Sequence, residues 1–333
     1  MRLVALDLIR FFAAMSVVLY HYTAREQFQG SEYISGITKY GYLGVPLFFM
    51  ISGYVIALSA RNRKPVEFVI SRFVRLYPAY WSGIIVTLCI TYFIGNYSTD
   101  IYVILANATM LNDYFGIENI DGVYWTLQAE LKFYFCIFLL LVFGVFEKYK
   151  IWLTIWLLLA WGYLITQQPY FLGWFISPGY SSFFIAGIAF YLIQINKLGR
   201  FNFLVLFSSL ILSSINAFEQ TEKFFTVIEW YEKWVAVVIV FSFYLVFHLL
   251  ISKRLILKPR RVYTTLGGIT YPLYLIHGLG GITIIDYYGG VDKNVTITFI
   301  TLLLMLFISW LIHVNIEKGI ASPLKHFLLN KFK

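Results

Sequence analysis

Apolar segments of roughly 17 to 25 residues recur along the whole chain, each long enough to cross about 30 Å of hydrocarbon as a helix. Nothing else in the sequence constrains the fold as strongly, because within a bilayer a helix satisfies its own backbone hydrogen bonds. Ten candidate spans are visible, at about 3–22, 41–60, 77–95, 124–146, 151–167, 174–196, 201–217, 228–252, 264–286 and 295–316. The expectation is an all-α, polytopic integral membrane protein. Composition agrees: 13% of residues are charged, against about a quarter in an ordinary soluble domain. No repeat, low-complexity tract or appended soluble domain interrupts the pattern, so residues 1–333 are expected to form a single membrane domain.

The charges predict an orientation. With the N-terminus inside, the cytoplasmic segments hold 19 of the 26 Lys and Arg residues and the outer segments hold 5, the other two, Arg10 and Lys132, lying within spans. Positive residues are retained in the cytoplasm, which gives an N-in, C-in topology. The net charge of +9 is therefore a topological signal and does not argue for nucleic acid as a partner. Asp7 and Arg10 interrupt the first apolar run and no small-residue cleavage site follows, so it reads as a retained helix. Cys89 and Cys136 fall within expected spans and read as small buried hydrophobes, with no disulfide and no metal site implied.

Charge inside a span is costly and marks function. The first span, LDLIRFFAAMSVVLYHY, carries three ionisable groups. Eleven residues of regular helix separate Arg10 from His21, which leaves them only about 20° apart in rotation and about 16 Å apart along the axis. Asp7 lies three residues before Arg10 on nearly the same side, where it supports that arginine. One stripe therefore runs from Arg10 toward the cytoplasm to His21 near the outer boundary. It reads either as a polar path or as an ion pair with an interfacial histidine.

Three further groups recur at ordered spacings. In RNRKPVEFVISRFVRLYPAYW, residues 61–81, Pro65 suits a helix start and Pro78 a break before the third span. Arg72 and Arg75 then project from one side of a short amphipathic helix, in a fork that suits phosphate oxygens, although anionic lipid is an alternative partner. In GVYWTLQAELKFYF, residues 122–135, Thr126, Glu130 and Tyr134 share one helix face. Glu130 and His21 enter at similar depth, and a carboxylate orienting an imidazole suits acid/base chemistry. In LGGITYPLYLIHGLGG, residues 266–281, Tyr274 and His277 share a face, and His277 reads as a structural or substrate-orienting histidine.

Together these elements resemble the membrane acyltransferase-3 family, whose bacterial members include O-acetyltransferases of surface polysaccharides. The resemblance rests on LDLIRFFAAMSVVLYH, PLFFMISGYVI, SRFVRLYPAYW, VYWTLQAELKFYF and TYPLYLIH, in family order from residue 6, and on a weaker closing IEKGIASP that ends near residue 323. It implies a ten-helix membrane fold, an acyl-CoA such as acetyl-CoA as co-substrate and no permanently bound cofactor. It also implies a glycan or lipid-linked glycan acceptor, in the bacterial cytoplasmic membrane. The family's functional elements map onto Arg10, His21, Arg72 and Arg75. His21 is then the expected base, with Glu130 orienting it; Arg10, Arg72 and Arg75 are expected to hold the CoA phosphates. Trp125, Tyr134, Tyr271, Tyr274 and His277 are expected to shape the acceptor cavity. A transporter or flippase would also use intramembrane charge but gives no particular reason for the whole ordered set; a non-catalytic acyl-CoA sensor derived from the same fold is a third reading.

Overall fold

A computed structural model describes residues 4–25, 32–166, 177–195, 199–224, 229–289 and 295–332. Arg2, Lys197, Lys293 and Lys333 of the charge pattern, and the ends of several expected spans, lie outside the described residues. Among the described residues the chain is helical throughout, with no strand. In order, the α-helices are α1 Val4–Leu19, α2 Glu32–Thr38, α3 Gly44–Ala60, α4 Pro65–Phe93, α5 Ile101–Ala108, α6 Trp125–Val142 and α7 Tyr149–Thr166. They continue with α8 Pro178–Gln194, α9 Arg200–Phe224, α10 Trp230–Ile251, α11 Arg261–Ile276, α12 Leu279–Gly289, α13 Val295–Ile312 and α14 Ser322–Lys331.

Among these residues, eight helical stretches are long and apolar enough to cross a membrane, and the bent pair α11–α12 makes a ninth. The remaining expected span, 174–196, overlaps α8, whose 17 residues rise only about 26 Å. Two expectations change. The third span does not start at a break: α4 runs unbroken for 29 residues through Pro78, so Arg72 and Arg75 stand on a long helix. Proline removes one backbone donor, but packed neighbours compensate in such helices. Close to the proline, Tyr271 Oη donates to the Leu76 carbonyl at 3.1 Å and Ser82 Oγ to that of Pro78 at 2.9 Å, although neither reaches the Val74 carbonyl four residues before it. The break occurs instead at His277 and Gly278, where the expected span 264–286 bends by 68°. Cys89 is also exposed rather than buried.

The chain divides into two compact units, with α1, α4 and α6 contributing residues to both. Unit one comprises residues 1–6, 43–68 and 129–259. Its centre is α8, buried along nearly its whole length by Phe183, Phe184, Phe190, Tyr191 and their neighbours. A helix apolar on every side must be enclosed by others, and α3, α7, α9 and α10 surround this one. Two glycines set the closest contact. A Cβ at Gly53 would stand 2.1 Å from the Phe184 carbonyl oxygen, and one at Gly187 would stand 2.0 Å from that of Met50. Small residues at helix crossings and hydroxyls bonded across them are the usual adhesion inside membranes. Ser213 Oγ accordingly bonds to Ser182 Oγ and Tyr244 Oη, each at 2.9 Å.

Unit two comprises residues 7–42, 69–128 and 260–333 and carries most of the expected site. Its α11 and α12 pack on α13. The segment between α5 and α6 is folded around two fully buried asparagines. Asn107 Nδ2 donates to the Val103 and Glu118 carbonyls at 3.0 Å, and its Oδ1 accepts from Ile120 N at 3.0 Å. Asn112 Nδ2 donates to the Ile117 carbonyl at 2.8 Å, and its Oδ1 accepts from Gln128 Nε2 at 3.0 Å. Tyr80 Oη and Trp81 Nε1 of α4 bond the carbonyls of Asn107 and Ala108. The segment is thereby fixed ahead of Asp121 and the start of α6.

Candidate functional site

Within unit two, α1 carries both ends of the expected stripe. Its last turn is not a regular helix: Tyr20–Ala24 form a π-helical segment, so the regular rotation holds only through Leu19 and His21 turns away from the ideal line. Asp7 is buried against α11, where a Cβ at Gly267 would stand 2.5 Å from the Asp7 Cβ.

The Arg10 end belongs to an ionic cluster. Arg75 Nη1 lies 2.7 Å from Glu317 Oε1, and the other oxygen of Glu317 lies 2.5 Å from His313 Nδ1. Arg10 is within electrostatic reach of the same carboxylate. Arg75 also stands over the Tyr271 ring, 5.7 Å from its centroid, and Tyr271 belongs to this cluster. Arg72, one turn before Arg75, bonds Ser71 Oγ at 3.1 Å. His313 and Glu317 sit on the second π-helical segment, His313–Ala321, and such segments frequently mark functional sites. Sequence reasoning gave neither residue a role, although their four-residue spacing on one helix face was a usable signal.

The His21 end is a cluster of rings. His21 and His277 meet edge to face with centroids 5.2 Å apart, and the Tyr274 ring packs 5.3 Å from that of His277. Tyr274 Oη is bonded at 2.9 Å to Thr126 Oγ1 at the start of α6, one residue beyond the half-buried Trp125. Tyr22 Oη is fully enclosed, 1.8 Å from where a Cβ at Gly281 would be, so only glycine fits there. Asp121, unnoticed in the sequence, ties the cluster together. It accepts from Val123 N at 3.1 Å and from Leu279 N at 2.7 Å, fixing the start of α6 and of α12 at once. Burial pushes its carboxyl up to about 6, against the smaller opposing effect of those two bonds.

Glu130 and Tyr134 belong to unit one. There Glu130 Oε1 accepts from Ser52 Oγ and from Tyr134 Oη, each at 2.5 Å. The shared face of Glu130 and Tyr134 is as the spacing required. Thr126, the third residue of that line, is bonded within unit two instead. Among the described residues no cluster of His, Cys, Asp and Glu is arranged to hold a metal ion.

Fold and site together define a polytopic membrane protein in which one charged helix runs from an arginine cluster to a histidine cluster. The profile of the acyltransferase-3 family, described as an acyltransferase domain, matches residues 3–314, and the chain belongs to that family. It is a membrane acyltransferase. The chain is similar to ORF330 of Acidianus two-tailed virus, named provisionally as an acetyltransferase, at 28% identity over 81% of this chain and 80% of the relative. It is also similar to acyltransferase MdmB of Streptomyces mycarofaciens, at 37% identity over 24% of this chain and 21% of the relative. Nodulation protein 10 of Rhizobium leguminosarum bv. viciae is 26% identical over 40% of this chain and 43% of the relative. No solved structure matches the chain.

Proposed function

We propose that the protein transfers an acetyl group from acetyl-CoA to a hydroxyl of a cell-surface polysaccharide, such as O-antigen, capsule or exopolysaccharide, or of its lipid-linked precursor, in the cytoplasmic membrane of a bacterium. The observation that carries this reading is that the first helix runs from a half-buried cluster of arginines at one end to the touching imidazoles of His21 and His277 at the other. Arg72, Arg75 and Arg10 take the CoA phosphates, for which guanidinium forks are suited. The arm of the donor follows the stripe of about 16 Å toward His21. There His21 removes the proton of the acceptor hydroxyl as its oxygen attacks the thioester carbonyl, and returns that proton to the departing CoA sulfur. The expectation that Glu130 orients His21 has its own test: full activity in Glu130→Gln removes Glu130 from the mechanism. Trp125 and Tyr274, at the His21 end, supply aromatic faces for a sugar ring.

The test is mass spectrometry of cell-surface glycans made with the wild-type chain, with His21→Ala and without the protein. Acetyl groups are expected with the wild type only, while His21→Ala membranes still bind acetyl-CoA. Acetylation by His21→Ala at the wild-type level removes His21 as the base, and acceptor movement without acylation favours transport.

A further inference from the structure

His277 stands at the break between α11 and α12, fully buried and in contact with the ring of His21. Its Nδ1 lies 2.8 Å from the carbonyl oxygen of Tyr274. A carbonyl can only accept, so Nδ1 carries the hydrogen and the neutral ring keeps its lone pair on Nε2. That Nε2 is buried with no hydrogen-bond partner among the described residues, and so is Nδ1 of His21. Buried polar atoms are almost always bonded, so two unmatched nitrogens on rings that touch each other call for a cause. The ring centroids are 5.2 Å apart. The two nitrogens are not bonded as the rings stand, but at this separation, with imidazole radii of about 1.2 Å each, a turn of the His21 ring that brings them face to face leaves about 2.8 Å between them, which is hydrogen-bond distance.

We propose that His277 is the positioning residue for His21, accepting the Nδ1–H of His21 on its own Nε2. The inference rests on the reading of His21 as the base. A neutral imidazole has one hydrogen to place. Held on Nδ1 by His277, it leaves Nε2 of His21 as the lone pair that takes the proton of the acceptor hydroxyl. The hydroxyl oxygen bonds to the acyl carbon, the carbon–sulfur bond breaks, and the Nε2 proton passes to the sulfur to give CoA thiol and ester. Throughout, the Nδ1–H of His21 stays on His277, and no proton moves to the second ring. The logic is that of a base oriented by a third group, with a neutral imidazole where a carboxylate often stands. A neutral acceptor suits a fully buried place, since a carboxylate there would bring an uncompensated charge. Asp121 does not compete for the role, because each of its oxygens accepts a backbone N–H. It instead fixes Leu279, two residues beyond His277, while the Tyr274 carbonyl holds the ring itself.

The chain has five histidines, few enough for imidazole nitrogen NMR on the 15N-histidine-labelled full chain in lipid nanodiscs, assigned by single substitutions. The expected spectrum has His277 protonated on Nδ1 and His21 protonated on Nδ1 and hydrogen-bonded. His277→Phe is expected to return His21 to a mixture of tautomers. In acetyl transfer from acetyl-CoA to the glycans of the host membranes, the same variant is expected to lose about 100-fold in turnover with acetyl-CoA affinity within about twofold. His277→Gln, which keeps an acceptor oxygen, is expected to recover at least about a tenth of wild-type turnover. A wild-type His21 protonated on Nε2, or His21 signals unmoved by His277→Phe, overturns the proposal; if that variant does not fold, the wild-type and His277→Gln spectra decide. Acetyl transfer absent in the wild type with the histidine signals as expected would sink the acyltransfer reading of His21 and leave the pair standing.

Discussion

Asp121 shows how one side chain can hold a site while contributing no chemistry to it. Its carboxyl is buried and pushed up to about 6 from an ordinary value of 3.8. An acid raised in the folded state binds its proton more tightly there than in the unfolded chain. Its contribution to stability is therefore fully present below about pH 4, declines as pH rises to about 6 and is flat above, a change of about 3 kcal/mol. The thermal midpoint of the detergent-solubilised protein is expected to fall across that window, and Asp121→Asn to flatten the fall; an unchanged slope in the variant would remove Asp121 as its source. The two arginines should separate in a similar way. Arg75 faces a carboxylate that is only 8% exposed while its own side chain is 34% exposed. Arg75→Ala leaves one oxygen of Glu317 without its bonded partner, while His313 and Arg10 remain near the carboxylate, and is expected to cost about 1–3 kcal/mol of stability, the cost of a buried pair discounted for solvent on one side. Arg72→Ala is expected to leave stability nearly unchanged and to raise the KM for acetyl-CoA about tenfold. Thermal unfolding and steady-state kinetics on the two variants check both. Arg10 and His21 were legible in the sequence because one helix relates them. Asp121 was not, since its bond to Leu279 joins positions 158 residues apart, and neither were His313 and Glu317, whose meaning depends on Arg75 arriving from α4.

At the scale of elements, hydropathy located the long helices but not the short α2, α5 and α14, because burial in lipid and burial in protein both demand long apolar runs. It could not tell them apart, and α8 is the instructive case: it reads as a span like the others but is enclosed by α3, α7, α9 and α10. Breaks were the other blind spot. Pro78 looks like a stop, yet α4 continues through it, whereas the real bend falls at His277 and Gly278, where Asp121 takes up the freed Leu279 N–H. Local chemistry proposes an interruption; tertiary partners decide it. The α3–α8 crossing gives a direct test. A side chain at Gly187 meets the backbone of Met50 at 2.0 Å, which no rotamer can relieve. Gly187→Leu is expected to abolish the monodisperse peak in size-exclusion chromatography, while Gly162→Leu, where a Cβ meets nothing within 4 Å, is expected to leave it intact. Equal behaviour of the two variants would mean that this crossing does not set the packing of unit one.

For the whole molecule, the outward faces of the long helices carry large apolar side chains, among them Phe207 on α9, Phe241 on α10 and Phe299 on α13. Exposure of that kind is stable only against lipid. The charge asymmetry adds a direction that packing alone does not contain. With 19 of the 26 Lys and Arg residues on one expected side and 5 on the other, the arginine cluster is expected to face the cytoplasm, where the proposed donor is held, and His21 the opposite surface. Each end of α1 would then meet its own substrate, so the orientation is a condition of the mechanism. A fluorescent protein that matures only in the cytoplasm, fused after Lys333, is expected to be bright. A cysteine placed at Ser98, beyond the far end of α4, is expected to react with a membrane-impermeant maleimide added to intact cells, in a background where Cys89 and Cys136 are serine. A dark fusion with Ser98→Cys shielded until the membrane is opened would invert the protein, putting His21 on the donor side and ruling out transfer across the membrane along α1.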